Sequence, residues 1–543
     1  MASTESTVSA APVVAEEQNE QVERGERGER GLVPGPRRFL LLLSVAVCAA
    51  SGLVYELALI SLSTSLNGGG IVETSLIVAG YVAALGLGAL CAKPLLKWAE
   101  TAFLWVEATL GVVGGLSATL LYLAFAVTGQ SLILLVLATL LIGMLVGAEL
   151  PLLMTMFQRG RLVDAKESGS ILATLNVADY LGALLGGLAW PFLLLPHLGL
   201  LQGTAAAGLL NLVAALVVAA LVLRWSVARA HLALVSTVIV VAIVGLAVLI
   251  VRSDGVVATA RQRLFQDPII YSQQSQYQDI VVTKDGKDRR LFLNGGLQYS
   301  TRDEYRYTES LVYPAITPET ERVLIIGGGD GLAARELLRM DHIQHIEQVE
   351  LDPEMIRVAN TVLREDNQGS LEDPRVHVRT EDAFTWVRSG GGGVPPFDAI
   401  LVDLSDPDND TMARLYSQEF YGLLHKMLDP EGRMVVQSGS AFTTPDVFNR
   451  VRSTLKAAGC AEVVPYHVHV PTFGDWGFNM CAPENTQLSV PSTAPELRYL
   501  NTDTLRAAGV FPPDNPLVDL PPNTLDHPVI VEDLRRGYRA AGE

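Results

Sequence analysis

A chain of 543 residues with 49% hydrophobic side chains and a mean hydropathy of +0.30 is too long for one domain and too apolar to be wholly soluble. Its net charge of −18 argues against nucleic acid, whose phosphates want a basic face, and suits a cationic substrate. The cysteines are Cys48, Cys91, Cys460 and Cys481. The first two lie in apolar segments, the others are far apart in sequence, and there is no CxxC pair. Neither a zinc site nor a disulfide framework is expected, and a reducing compartment is the default.

Residues 1–38 are rich in Glu, Arg, Gly, Ser and Ala without apolar periodicity and read as a disordered tail. They are not a cleavable signal peptide, because the apolar stretch starts too late and runs too long. Residues 39–252 read as a helical membrane domain. Seven apolar segments, 39–64, 71–92, 102–127, 130–156, 170–196, 199–223 and 232–251, each approach the ~20 residues that cross a bilayer. Arg37 and Arg38 precede the first segment. Lys93 and Lys97, then Arg159, Arg161 and Lys166, then Arg224 and Arg229 fill alternate loops, while the loops near 65–70, 128–130 and 197 carry no Lys or Arg. That asymmetry puts the N-terminus in the cytoplasm. Seven crossings would leave the C-terminal half outside, whereas an enzyme acting on cytoplasmic substrates is expected inside. Segment 170–196, with Asn176, Asp179 and Pro191, is the candidate for an irregular crossing. Glu56, Glu107, Glu149 and Asp179 lie inside apolar segments, where an acid either faces a cation or bonds a neighbouring helix.

Residues 253–320 read as a linker, over 253–265, followed by a small β-hairpin subdomain with turn signals at Asp285-Gly286 and Asn294-Gly295. From 321 to 483 strands and helices alternate, which predicts a mostly parallel, doubly covered Rossmann-like sheet with ligands at the carboxyl ends of its strands. Residues 484–543 are Pro-rich and read as an irregular tail with one helical turn near 503–508.

The stretch Val323-Leu-Ile-Ile-Gly-Gly-Gly-Asp-Gly-Leu332 combines a buried strand, a Gly-rich turn and a helix start. Gly327 and Gly329 let the backbone approach a ligand. The spacing is not GxGxxG, and Asp330 inside the loop repels phosphate and attracts a cation such as a sulfonium or ammonium. Glu350 ends the next strand, about 20 residues on, where an acid suits ribose hydroxyls. Asp382 can accept from an adenine amino group or cap the helix that starts at Ala383. Phe397-Asp-Ala-Ile-Leu-Val-Asp-Leu-Ser-Asp-Pro407 delivers Asp403 from a buried strand and Asp406 three residues later. Two acids at the mouth of a nucleoside pocket can hold a diamine and take a proton from it.

Tyr277-Gln278, Asn294-Gly-Gly-Leu-Gln298, Arg302-Asp-Glu-Tyr-Arg-Tyr307, Gly327-Gly-Gly-Asp-Gly331, Glu350-Leu-Asp352 and Asp403-Leu-Ser-Asp-Pro407 together resemble the spermidine synthases (polyamine aminopropyltransferases) over about 266–483. The preceding helices resemble the bacterial subgroup with an N-terminal membrane region. The resemblance implies that Gln278, Glu350, Asp382 and Ala383 hold the adenosyl part of decarboxylated S-adenosylmethionine or of its product, methylthioadenosine. It implies that Asp330 and Asp406 face the amine, and that Tyr307 assists Asp403 as proton acceptor. It also implies no prosthetic group and no metal, a polyamine acceptor (putrescine giving spermidine), a cell-membrane location with a cytoplasmic catalytic domain, and a homodimer or homotetramer. Thr308, Leu332, Ala383 and Phe473 depart from the family pattern, which puts the acceptor more than the reaction in question. The competing readings are an S-adenosylmethionine-dependent methyltransferase and a membrane polyamine sensor or transporter with a non-catalytic nucleoside-binding half.

Overall fold

The computed structural model describes residues 35–67, 71–128, 132–158 and 165–542. The chain divides into two compact units, one ending at Leu264 and one starting at Phe265. The tail expected over 1–38 lies outside the described residues except for its last four, which open the first helix.

The first unit is all helical: α1 Gly35–Asn67, α2 Ile71–Cys91, α3 Ala99–Thr128, α4 Leu132–Gln158, α5 Ala165–Ala189, α6 Leu195–Val218 and α7 Arg229–Leu264. Large apolar side chains cover its outside as well as its core. Leu76, Val82, Val136, Val241 and Val248 are each more than half exposed. Water-facing helices put polar residues there. Among the described residues, six helical stretches are long and apolar enough to cross a membrane, the longest being Gly169–Leu223. That stretch joins the two segments expected at 170–196 and 199–223. Its regularity fails at two points, the first inside the segment expected to be irregular and the second just beyond it. Trp190–Leu194 winds as a π-turn around Pro191, which has no N–H for the helix ladder. Gly199 then leaves helical geometry at φ 71° and ψ −175°. The linker expected over 253–265 is instead the continuation of α7 through Leu264. Glycines set the closest helix contacts. A Cβ on Gly88 of α2 would lie 2.0 Å from Met144 O of α4, and one on Gly147 of α4 would lie 2.0 Å from Leu85 O of α2. Two backbones meet there with no room for a methyl group.

The second unit begins with a four-stranded antiparallel sheet: β1 Ile269–Gln274, β2 Asp279–Asp285, β3 Asp288–Leu293 and β4 Gly296–Ser300. Asn294 and Gly295 both take positive φ, which a two-residue hairpin turn requires. Helix α8, Glu304–Val312, leads into a seven-stranded sheet of order β10-β11-β9-β8-β5-β6-β7. Its strands are β5 Arg322–Gly327, β6 His345–Glu350, β7 Val376–Thr380, β8 Phe397–Asp403, β9 Leu428–Gln437, β10 Glu462–Val470 and β11 Gly474–Ala482. The pairs among β7, β6, β5, β8 and β9 are parallel, and β11 and β10 are added antiparallel. Val323, Leu324, Ile325 and Ile326 are completely buried, with alternate residues in two different hydrophobic clusters. A continuous apolar run is what a strand covered on both faces needs. The covering helices include α9 Leu332–Leu338, α10 Pro353–Thr361, α11 Ala383–Arg388, α12 Gln418–Met427 and α13 Pro445–Ala457.

Two expectations are corrected here. Cys460 and Cys481 form a disulfide, with Cα atoms 5.4 Å apart. The β10–β11 hairpin folds the chain back so that Cys481 faces Val463, and their separation of 21 residues in sequence hid that proximity. The tail beyond 484 is not wholly irregular. Besides α14, Thr502–Ala508, it holds a twelve-residue helix α15, Ile530–Ala541. Ile530, Val531 and Leu534 bury one face of α15 in the core, and the buried pair Arg450–Asp533, 2.6 Å, anchors it to α13. Absence of a long apolar run made this helix look like loop.

Candidate active site

Strand order reverses at β5 and β8, and a crevice forms at the carboxyl ends of strands at such a switch point. β5 ends at Gly327, which pairs in register with Asp403, the last residue of β8. Gly327 has φ 80°, and a Cβ on it would lie 2.2 Å from Asp403 O. Both constraints demand glycine. Gly328 N–H donates to Asp403 O at 3.0 Å and ties the Gly-rich turn to the end of β8. A Cβ on Gly329 would lie 2.6 Å from Glu350 Oε2, so this glycine makes room for a carboxylate.

Four partly buried carboxyl groups converge on this crevice. Asp330 caps the start of α9, its Oδ1 accepting from Leu332 N–H at 2.9 Å. Burial, and then the neighbouring charge of Asp403, hold Asp330 well above the usual carboxylate range. Asp403 Oδ1 accepts from the Tyr307 hydroxyl at 2.6 Å. Burial raises Asp403 too, and the Tyr307 hydrogen bond partly offsets it. The pair therefore titrates together. Glu350 Oε1 accepts from Asp352 N–H at 3.0 Å, yet burial pushes the acid up to about 7. Asp406 Oδ2 accepts from the Tyr538 hydroxyl at 3.0 Å, and burial pushes the acid up to about 6. Among the described residues, none of these four forms an ion pair with Lys, Arg or His. Four partly buried carboxyls without a counter-cation make a site that favours a positively charged ligand.

The other candidates are placed as follows. Gln278 Nε2 donates to Asp352 Oδ2 at 3.1 Å, and Ser275 Oγ donates to the same oxygen at 2.6 Å. Asp352 caps α10 through Glu354 N–H and donates its own N–H to Glu350. Gln278 on the hairpin subdomain thus reaches the end of β6 through one shared residue. Asp382 realises the helix cap, accepting from Thr385 N–H at 2.8 Å, and it pairs with Arg414. Burial pushes its acid up, but these partners outweigh burial and hold it low. Asp382 therefore stands apart from the four raised acids. Ala383 is the buried first residue of α11.

Sequence reasoning missed several residues that shape this crevice. Gln437, at the end of β9, donates to Leu404 O at 2.5 Å and to the Tyr416 hydroxyl at 2.6 Å. Tyr416 donates to Ser405 O at 2.8 Å. Together they fix the loop from Asp403 to Asp406. A lone polar residue at a buried strand end was the available signal. Tyr538 comes from α15, and nothing in the local sequence links it to Asp406. Tyr307 is walled by Phe473, Trp476 and Phe478, with ring centroids 6.1, 6.5 and 5.3 Å away. The departures from the family pattern are also located. The Thr308 hydroxyl is turned onto Glu304, at 3.0 Å to its carbonyl oxygen, and Leu332 packs into the hairpin cluster. Phe473 keeps an aromatic ring against Tyr307 without a hydroxyl.

Comparison with known proteins gives a consistent result. The Spermine/spermidine synthase domain family matches residues 304–490. A polyamine aminopropyltransferase of Corynebacterium efficiens is 66% identical over 506 residues, covering 93% of this chain and 97% of that protein. A polyamine aminopropyltransferase of Mycobacterium tuberculosis H37Rv is 57% identical over 509 residues, covering 92% of this chain and 97% of that protein. Alignments of that length take in most of the helical unit. A solved spermidine synthase of Thermotoga maritima is 25% identical with a TM-score of 0.41, covering 45% of this chain and 85% of that one. The chain belongs to the polyamine aminopropyltransferases, the family of the spermidine synthases.

Proposed function

We propose that this aminopropyltransferase moves the aminopropyl group of decarboxylated S-adenosylmethionine onto putrescine, with Asp403 as the proton acceptor. The observation that carries the assignment is the 2.6 Å Tyr307–Asp403 hydrogen bond at the sheet's switch point, amid partly buried carboxyls lacking a counter-cation among the described residues. Glu350, Gln278, Asp382 and Ala383 take the adenosyl end, with Gly327 and Gly329 as its floor. Asp330 and Asp406 take the amine end.

A primary amine has a pKa of about 10, near that of lysine, and arrives protonated. Its nitrogen must lose a proton and attack the methylene carbon next to the sulfonium. The new C–N bond forms as the C–S bond breaks, the electron pair goes to sulfur, and neutral methylthioadenosine leaves. Asp403 takes the proton. Burial makes it a better base than an exposed carboxylate, and the Tyr307 hydroxyl keeps it ionised enough to act. A positioned base of this kind contributes roughly 10²–10⁴-fold, and alignment of nucleophile and leaving group contributes more. The sulfonium is already an activated leaving group, so these steps need no metal.

Membranes bearing the protein are incubated with decarboxylated S-adenosylmethionine and a panel of amines. Methylthioadenosine and spermidine are expected with putrescine. Methylated product from S-adenosylmethionine would support a methyltransferase instead. Nucleoside binding without product from any amine would support a sensor or transporter.

The apolar exteriors of α1–α7 support a multi-pass cell-membrane protein; the Lys/Arg bias of alternate loops supports a cytoplasmic N-terminus, and cytoplasmic substrates a cytoplasmic catalytic unit. A second reading puts that unit outside. It is favoured by seven apolar segments counted from a cytoplasmic start and by the Cys460–Cys481 disulfide, which suits an oxidising compartment. A C-terminal reporter that fluoresces only in the cytoplasm is expected to be bright. A dark reporter on active protein would decide for the outward reading.

Two further outcomes follow from the acids. Asp403 must be ionised to work, so kcat/KM should fall as pH drops through about 6. Tyr307→Phe removes the donor that favours the carboxylate and should move this acid limb to higher pH while lowering kcat. An unmoved limb would remove Tyr307 from the assignment. Asp330 has a raised pKa in the fold, so the folded state binds more protons than the unfolded chain. Its favourable contribution is present at low pH and lost as pH rises through the folded value. Asp330→Asn should therefore raise the melting temperature at pH 8, by about 2–4 °C for each kcal/mol relieved, while weakening amine binding. A lower melting temperature at pH 8 would contradict this balance.

A further inference from the structure

Helices α1, α3, α4 and α6 bring together a second polar cluster that aminopropyl transfer does not use. Cys48 on α1, Glu107 on α3 and Glu149 on α4 are 1%, 0% and 5% exposed. Cys48 Sγ lies 3.0 Å from Glu107 Oε2. The thiol sulfur and a carboxylate oxygen from each acid all lie within 4.8 Å of one another. Asn211 on α6, also 0% exposed, donates its Nδ2 to Glu107 O at 3.3 Å. That contact fixes the amide beside the acids.

A purely structural cluster satisfies its own hydrogen bonds, and this one does not. Glu107 Oε1, Glu149 Oε1 and Asn211 Oδ1 are buried with no partner among the described residues, as is the hydroxyl of the fully buried Tyr55. Each such orphan costs about 1–3 kcal/mol. All the orphaned atoms are oxygens able to accept or coordinate, and among the described residues neither acid has an arginine or lysine partner. A cation answers that deficit. The sulfur selects which kind, because thiolate with carboxylate and carbonyl oxygen suits a borderline-soft ion better than an alkali ion or an ammonium.

We propose that Cys48, Glu107 and Glu149 hold a divalent transition-metal ion of the zinc type, with Asn211 Oδ1 as a fourth donor. Ligand atoms around a tetrahedral zinc ion stand about 3.5 Å apart, so side-chain rotation alone closes the observed spread. Binding displaces the thiol proton: Cys48–SH and M²⁺ give a sulfur–metal bond and H⁺. The ion ties four helices together and takes no part in aminopropyl transfer. Its ligands come from four separate helices, which is why cysteine spacing in the sequence gave no sign of it.

The full chain is purified in detergent, stripped with a chelator, exposed to Zn²⁺ alone and desalted. One zinc per chain is expected to remain, and Co²⁺ in its place should show a near-ultraviolet thiolate charge-transfer band. Cys48→Ser should abolish that band, and Cys48→Ser and Glu149→Gln should each cut retained zinc at least tenfold. Both variants are read only where they elute in detergent as the wild type does. Glu149→Asp, which keeps a carboxylate, should retain most of the zinc. Failure of the wild-type protein to retain zinc would overturn the site whatever the variants do. Equal retention or an undiminished cobalt band in Cys48→Ser would also overturn it and assign the ion elsewhere.

Discussion

Withdrawing a carboxyl group from water without a counter-ion is costly, and the catalytic unit does so in part four times in one crevice. Asp330, Glu350, Asp403 and Asp406 sit where β5, β6 and β8 end, and burial is the largest cause of the raised proton affinity of each. The site is therefore incomplete without a positive ligand. The donor's sulfonium and the acceptor's ammonium groups are such ligands. The same desolvation strengthens a charge–charge contact once the ligand is bound and suits Asp403 to the role of base proposed for it.

The frame that enforces this arrangement is parallel pairing. Register places Gly327 directly beside Asp403, so the Gly-rich turn and the proposed base are one backbone unit. Gly329 yields its side-chain volume to Glu350. Outlying elements add single contacts: the hairpin sheet through Gln278 and Asp352, α8 through Tyr307, and α15 through Tyr538. Tyr538 brings a phenol to Asp406 from outside the region matched by the family domain. Phe473 lacks a phenol at the other aromatic position, so specificity for the amine need not follow that of relatives built differently there.

Much of this was legible in the sequence because the relevant signals are local. A buried apolar run ending in glycines and an acid announces a strand, a turn and a ligand within ten residues. The strand–helix alternation implied a mostly parallel sheet, and the family resemblance rested on motifs within short reach of one another. What stayed hidden depends on contacts distant in the chain. The Cys460–Cys481 pairing needed the β10–β11 hairpin to be known. The helix carrying Tyr538 is short and half polar, and only packing against α13 gives it a core face. The irregular crossing expected over 170–196 holds the π-turn Trp190–Leu194 around Pro191, whereas the break at Gly199 lies beyond that segment and was not expected.

The most direct test of the account is Asp403→Asn. The substitution keeps shape and the Tyr307 contact while removing the base. The account predicts that turnover of decarboxylated S-adenosylmethionine with putrescine falls by at least roughly 10²-fold, while methylthioadenosine binding measured by calorimetry stays close to that of the wild type. Turnover equal to the wild type's would contradict the assignment of Asp403 as proton acceptor.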